Sequence, residues 1–346
     1  MIAVNNMNER KKCILRAVTD DYIDTAEPVG SRTIARRYKL GISSATIRNE
    51  MADLEESGYL YQPHTSAGRV PSDKGYRYYV DVLLDPEEAT EEDNKLIQQI
   101  LGQQKEAMEK LVRRATKVLA ELTDYISVAV IPEHRNATFR HLQLVSLDPN
   151  NILAVVVVDP GIVENKVIFT TKPFLPAELE RISSHLNNKL RGLKVEELSG
   201  TILAEIRDSS PITKDLLECL LEIIDESLAD TDEEKLICDG VLHLLEQPEF
   251  HDIDRTKLLL GMIEKRNNLV NLLSGLTYSS GVKVSIGEEN LRPELKELSL
   301  VTATYYLGGQ TMGTIGVIGP TRMSYGRAIG LVEEIAHALT DVLKSY

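Results

Sequence analysis

A chain of 346 residues, 42% hydrophobic and 27% charged, is long enough for two or three domains with buried cores. No apolar signal run and no bilayer-spanning stretch is visible, and Cys13, Cys219 and Cys238 lack metal-ligand spacing, so a reducing, cytoplasmic setting without a membrane is expected. The net charge of −14 argues against nucleic acid only until it is divided: residues 1–80 hold 12 Lys and Arg against 10 Asp and Glu, a net of +2, and the other 266 hold 27 against 43, a net of −16.

In chain order, residues 5–25 form a first helix through Ile14, Val18 and Tyr22, with Leu15 and Ile23 beside them, and Pro28 ends the segment. Arg10, Lys11, Lys12 and Arg16 near its start either touch phosphates or form a solvated basic face. Ser31 caps a shorter helix whose Ile34, Ala35 and Tyr38 pack inward, leaving Arg32, Arg36, Arg37 and Lys39 outside. Gly41 supplies a tight turn, and Ser43 caps a longer helix over 44–57.

In that helix Ile47, Met51 and Leu54 make one apolar stripe, opposite Ala45, Asn49, Ala52 and Glu56, with Thr46 and Arg48 flanking. The polar side suits a major groove. The alanines permit close approach, Asn49 can pair bidentately with adenine, Arg48 can reach guanine or phosphate, and the free amides around Ser43, Ser44 and Ala45 favour phosphate. Residues 59–62 and 68–70 then make a small hairpin bracketed by Pro63 and Pro71. It either closes the sheet of the domain or reaches along DNA as a wing, with Thr65, Ser66 and Arg69 as contacts. The order of parts is that of a winged helix-turn-helix over residues 1–84.

A connecting helix over 72–84 carries Tyr76, Tyr78 and Tyr79, for packing rather than base stacking. Asp85-Pro86 breaks it, and the acidic stretch 85–93 reads as a linker that lets the head move. One long helix over 91–125 follows, either a coiled-coil seam or, as the next segments favour, a helix lying on a sheet. Strands are expected at 126–131, 139–147, 152–158 and 163–170, then helices at 177–190, 195–207, 213–229, 235–245 and 255–273. Strands return at 282–286, 298–307 and 312–318, the last two about a Gly308-Gly309 turn, and a helix over 324–343 closes the chain. The expected fold class is therefore α+β and multidomain: one sheet begun, interrupted and finished. The split domain covers 94–175 and 250–346, and a mainly helical insertion covers 176–249.

Catalytic machinery is not expected. The glycines Gly308, Gly309, Gly313, Gly316 and Gly319 precede no Gly-Lys-Ser/Thr, the seven histidines show no HExxH spacing, and no GxSxG elbow is present. No cofactor or metal is expected either. A head of +2 binds DNA weakly alone, so the acidic body has to pair two heads.

Three runs carry a specific resemblance: Val29-Gly30-Ser31-Arg32-Thr33-Ile34-Ala35, the stretch from Ser44 to Glu55, and His64-Thr65-Ser66-Ala67-Gly68-Arg69-Val70-Pro71 with Gly75-Tyr76-Arg77 after it. The head is similar to that of the HrcA family of heat-inducible transcription repressors. The resemblance implies a homodimer on double-stranded operator DNA, at an inverted repeat called CIRCE upstream of chaperone genes, with the GroE chaperonin keeping the repressor active. It also implies a GAF-like middle domain and an inserted segment that helps dimerise. The alternative is a regulator switched by a metabolite bound in the GAF-like domain.

Overall fold

The computed structural model describes residues 7–65, 67–102, 108–131, 138–159, 162–170, 173–193, 235–252, 256–257, 260–261, 281–290, 295–307 and 310–344. Helices and sheets both build it, as an α+β class requires. Helix α1 (Glu9–Thr25) starts at Asn8, whose side chain accepts the Lys11 amide at 2.8 Å. Helices α2 (Ser31–Arg37) and α3 (Ser44–Glu56) follow, with Gly41 at φ +70° in the turn between them, a backbone state that favours glycine. Strands β1 (Leu60–Tyr61) and β2 (Val70–Pro71) pair antiparallel. Helix α4 (Asp73–Tyr78) widens into a π turn over Tyr79–Leu83. Ile14, Val18, Ile34, Ile47, Met51 and Leu54 share the core of this head.

The body begins with α5 (Glu91–Leu101) and α6 (Met108–Thr123). The single helix expected over 91–125 is thus two: α5 stops at Gly102, whose amide closes the last turn on Gln98 at 2.8 Å. Next come β3 (Ile126–Ile131), β4 (Thr138–Asp148), β5 (Asn151–Asp159), β6 (Ile162–Phe169) and α7 (Pro176–Leu190). Then follow β7 (Lys235–Asp239), α8 (Val241–Leu245), β8 (Val282–Ile286), β9 (Leu298–Leu307), β10 (Gln310–Pro320) and α9 (Tyr325–Leu343).

These strands make two sheets, where one was expected. An antiparallel five-stranded sheet has the order β7-β3-β10-β9-β8, and β4-β5-β6 form a separate antiparallel sheet. The reason is spatial: β3 has β7 on one edge and β10 on the other, so no edge remains for β4. The edge of β4 is closed by α7 instead. Asn187 accepts the Leu142 amide at 2.6 Å and donates to its carbonyl at 2.9 Å, and Ser183 accepts the Leu144 amide at 3.1 Å. The helix expected over 235–245 is a strand and a five-residue helix, because the apolar run Leu236-Ile237-Cys238 is too short for periodicity to decide. The helices expected at 195–207 and 213–229, most of 255–273, and the Gly308-Gly309 turn lie outside the described residues.

Both faces of the larger sheet are covered. On one, Val301, Tyr305, Ile315 and Val317 share a core with Leu111, Val112 and Leu119 of α6 and Val332, Ile335 and Leu339 of α9. On the other, Ile126, Val128, Val130, Leu300 and Ile318 meet Phe250 and Leu295. Tyr76 of α4 belongs to the first of these cores, so the head is seated on the body. Arg77 reinforces the seat, donating to both Glu289 carboxylate oxygens at 2.7 and 2.6 Å and to the Val284 carbonyl at 2.7 Å, while Asp73 accepts the Glu288 amide at 2.8 Å.

The stretch 85–93, expected to be a loose tether, is pinned to α9. The Glu87 amide donates to Gly326 at 3.3 Å, and its carbonyl lies so near the helix that a Cβ on Gly330 would meet it at 1.8 Å. Thr90 and Asp93 cap α5 reciprocally at 3.1 and 3.0 Å, and Asp93 faces Arg327 at 3.3 Å. Burial disfavours the Asp93 carboxylate, but the Thr90 hydroxyl and amide and the Arg327 guanidinium outweigh it and hold its pKa below the usual value. A depressed carboxyl pKa stabilises the fold fully above the unfolded value of about 4, and the contribution vanishes as pH falls through the folded value. Melting temperatures of wild type and Asp93→Asn, followed from pH 7 downward, are therefore expected to differ at neutrality and converge in acid.

Candidate nucleic-acid interface

The candidate surface is the amino-terminal half of α3 with its neighbours. The Ser43 hydroxyl accepts the Thr46 amide at 3.1 Å and lies 3.0 Å from the Thr46 hydroxyl, so it is engaged in capping. Ile47, Met51 and Leu54 are buried, as their stripe requires, and Ala45, Arg48, Asn49 and Ala52 are exposed on the opposite side. Ser44 and Thr46 are half-buried between the two sides. The inward stripe orients the helix, and the outward one is thereby presented to solvent.

The cations of the head sort into two sets. On α1, Arg10 pairs with Glu50 at 3.4 Å and Lys11 with Asp53 at 2.9 Å, bracing α1 against the far part of α3. Arg37 pairs with the buried Asp21. Arg32, Arg36, Lys39 and Arg48 are exposed and have no ion-pair partner among the described residues. The sequence held a signal for this set that the reading by elements passed over. Residues 28–49 contain five Lys and Arg and no Asp or Glu, inside a head whose net charge is only +2.

The hairpin is held from within. Gln62 donates to the carbonyls of Thr65 and Ala67 at 3.1 and 2.8 Å, leaving the His64 and Thr65 side chains exposed at the tip; Ser66 lies outside the described residues. Arg69 departs from expectation. Its guanidinium donates to Glu55 of α3 at 2.8 and 2.6 Å with 17% of the side chain exposed, and its backbone bridges to Val29. It ties the hairpin to α3 where it was expected to face phosphate. Removing it orphans a half-buried carboxylate, so Arg69→Ala is expected to cost about 1–2 kcal/mol of stability with no change in the salt dependence of DNA binding. Denaturant unfolding and a salt series together check this.

The chain has close relatives. A family model described as HrcA protein C terminal domain matches residues 109–329. The heat-inducible transcription repressor HrcA of Pelotomaculum thermopropionicum is 43% identical over 98% of this chain and 97% of its own. The protein of the same name from Desulforamulus reducens is 41% identical over 97% of each. A crystal structure of a hypothetical protein at 2.2 Å resolution covers 98% of this chain and 99% of its own with a TM-score of 0.72 at 26% identity. Among the described residues no group of three or more His, Cys, Asp or Glu could hold a metal ion, and no helix is long and apolar enough to cross a membrane. With a family model over residues 109–329 and full-length relatives above 40% identity, this chain belongs to the HrcA family of heat-inducible transcription repressors.

Proposed function

We propose that the head is a winged helix-turn-helix that inserts α3 into the major groove of an inverted-repeat operator, CIRCE, and that two copies bind as a homodimer in the cytoplasm. One observation carries this reading: a capped, inward-anchored helix presents Ala45, Arg48 and Asn49, and the preceding helix exposes Arg32 and Arg36, which have no ion-pair partner among the described residues. Thr46 lies at the rim of that surface, and Thr65 at the hairpin tip, with Ser66 next to it in sequence, supplies the phosphate or minor-groove contacts. The body acts as scaffold and regulator without catalysis. Residues 94–131 and 235–346 are its GAF-like part, which moves both limits of the insertion toward the amino terminus, from the 175 and 250 read from sequence to the end of β3 and the start of β7.

Homodimerisation is supported by the insertion's own sheet. Val145, Leu153 and Val167 lie in register across β4, β5 and β6, and Phe169 continues the same face. Phe169 is 70% exposed, Val167 53% and Val145 43%, a row of exposed apolar side chains of the kind a second subunit covers. Phe169→Glu is expected to shift sedimentation toward the monomer while the helical signal stays.

The GroE chaperonin is the proposed partner that keeps the repressor active. The support is topological: β3 pairs with strands more than 100 residues later, and such non-local pairing folds slowly. The test is a gel shift of full-length protein on the inverted repeat and on a scrambled duplex, before and after heating, with and without chaperonin. Preference for the repeat, restored after heating only with chaperonin, is the expected result. Equal binding to both duplexes rejects the operator reading, and full spontaneous recovery rejects the chaperonin. A metabolite that raised the melting temperature and altered operator affinity would favour a small-molecule switch instead.

A further inference from the structure

Helix α1 carries no Lys or Arg in its last turn, where Asp24 sits, so no cation on the helix answers the negative end of its dipole, although the Ala26 amide closes on the Tyr22 carbonyl at 2.9 Å. The body supplies what is missing. Arg322, in the turn between β10 and α9, donates from Nη1 to the Ile23 carbonyl at 3.1 Å. Its other nitrogens are fixed by the body: Nη2 donates to Gln247 Oε1 at 2.9 Å and Glu249 Oε2 at 3.2 Å, and Nε donates to the second Glu249 oxygen. The Arg322 side chain is only 12% exposed. A planar guanidinium forked onto a carboxylate has one orientation, so the end of α1 is held from a set direction. Tyr76 in the body's core and Arg77 on Glu289 hold α4, and Arg322 holds the end of α1. Two helices of the head fastened at separate places set its orientation.

We infer that Arg322 is a positioning residue for operator recognition: it sets the angle of the head on the body, and so the separation and tilt of the two α3 helices in a dimer. The inference rests on the reading of paired heads given above. Its consequence is selective, because a tilted head still reads one half-site while two tilted heads no longer reach both at once.

The test uses full-length wild type, Arg322→Ala, Arg322→Lys and Glu249→Gln on three duplexes. These are the whole inverted repeat, a single half-site, and the repeat with its halves moved apart by about half a helical turn, roughly five base pairs. Arg322→Ala is expected to bind the single half-site like wild type, to lose about tenfold on the whole repeat, and to distinguish the two spacings poorly. Arg322→Lys, which keeps the cation but not the fork, should fall between. Glu249→Gln, which loosens the fork with Arg322 in place, should move the same way and decides the matter if Arg322→Ala fails to fold by circular dichroism. Equal losses on half-site and whole repeat, or spacing discrimination unchanged in every variant, overturn the positioning role alone. A wild type indifferent to the whole repeat overturns the operator reading together with it.

Discussion

Tyr76→Ala is expected to lower the unfolding free energy of the full-length protein by about 3–5 kcal/mol, the range for emptying the site of a large buried aromatic. The ring is 2% exposed, sits 5.9 Å from the Tyr325 ring at a tilt of 51°, and is the head's entry into the core formed by α6, α9 and the larger sheet. Truncation therefore opens a cavity at the junction of head and body. The hydroxyl has no hydrogen-bond partner among the described residues, and burial pushes its pKa well above the ordinary tyrosine value. Tyr76→Phe is accordingly expected to be neutral or slightly stabilising, since a buried hydroxyl without a partner contributes nothing favourable. Urea unfolding of both variants checks the pair. A loss below about 1 kcal/mol for the alanine variant, smaller than any such cavity costs, would show that the ring is not what seats the head.

Arg48→Ala and Asn49→Ala are each expected to weaken binding to the inverted repeat by about 1–3 kcal/mol, with the melting temperature unchanged because both side chains are exposed. The loss should be smaller on a scrambled duplex, since a side chain that reads base edges is worth little where the bases are wrong. Equal losses on the two duplexes would reassign both residues to the phosphate backbone. Arg32→Ala and Arg36→Ala provide the contrast: they should weaken both duplexes alike and reduce the salt slope.

The parts of the chain that were legible in the sequence are those whose partners lie within a few residues. The stripe of Ile47, Met51 and Leu54, the Ser43 cap and the turn at Gly41 are local patterns, and they place α3 correctly. Arg69 was not legible, because its partner Glu55 is 14 residues away on another element and nothing in the spacing joins them. The division into two sheets was hidden for a related reason. Alternating apolar residues in β4 and β5 report a half-buried strand, but the fact that decides their sheet is that β3's edges are taken by residues 235–239 and 310–320. The stretch 85–93 looked loose because its charge is its own, whereas Gly326, Arg327 and Gly330, which fasten it, come some 240 residues later.

The placing of Tyr325, Arg322 and α9 has an effect on timing during synthesis. The head is made before the groups that seat it, which run from Val284 and Glu289 through Arg322 to Tyr325. A nascent chain therefore carries α3 before the contacts that hold the head in place can form. A premature stop before β8 removes every one of these contacts and is expected to leave the head without its seat.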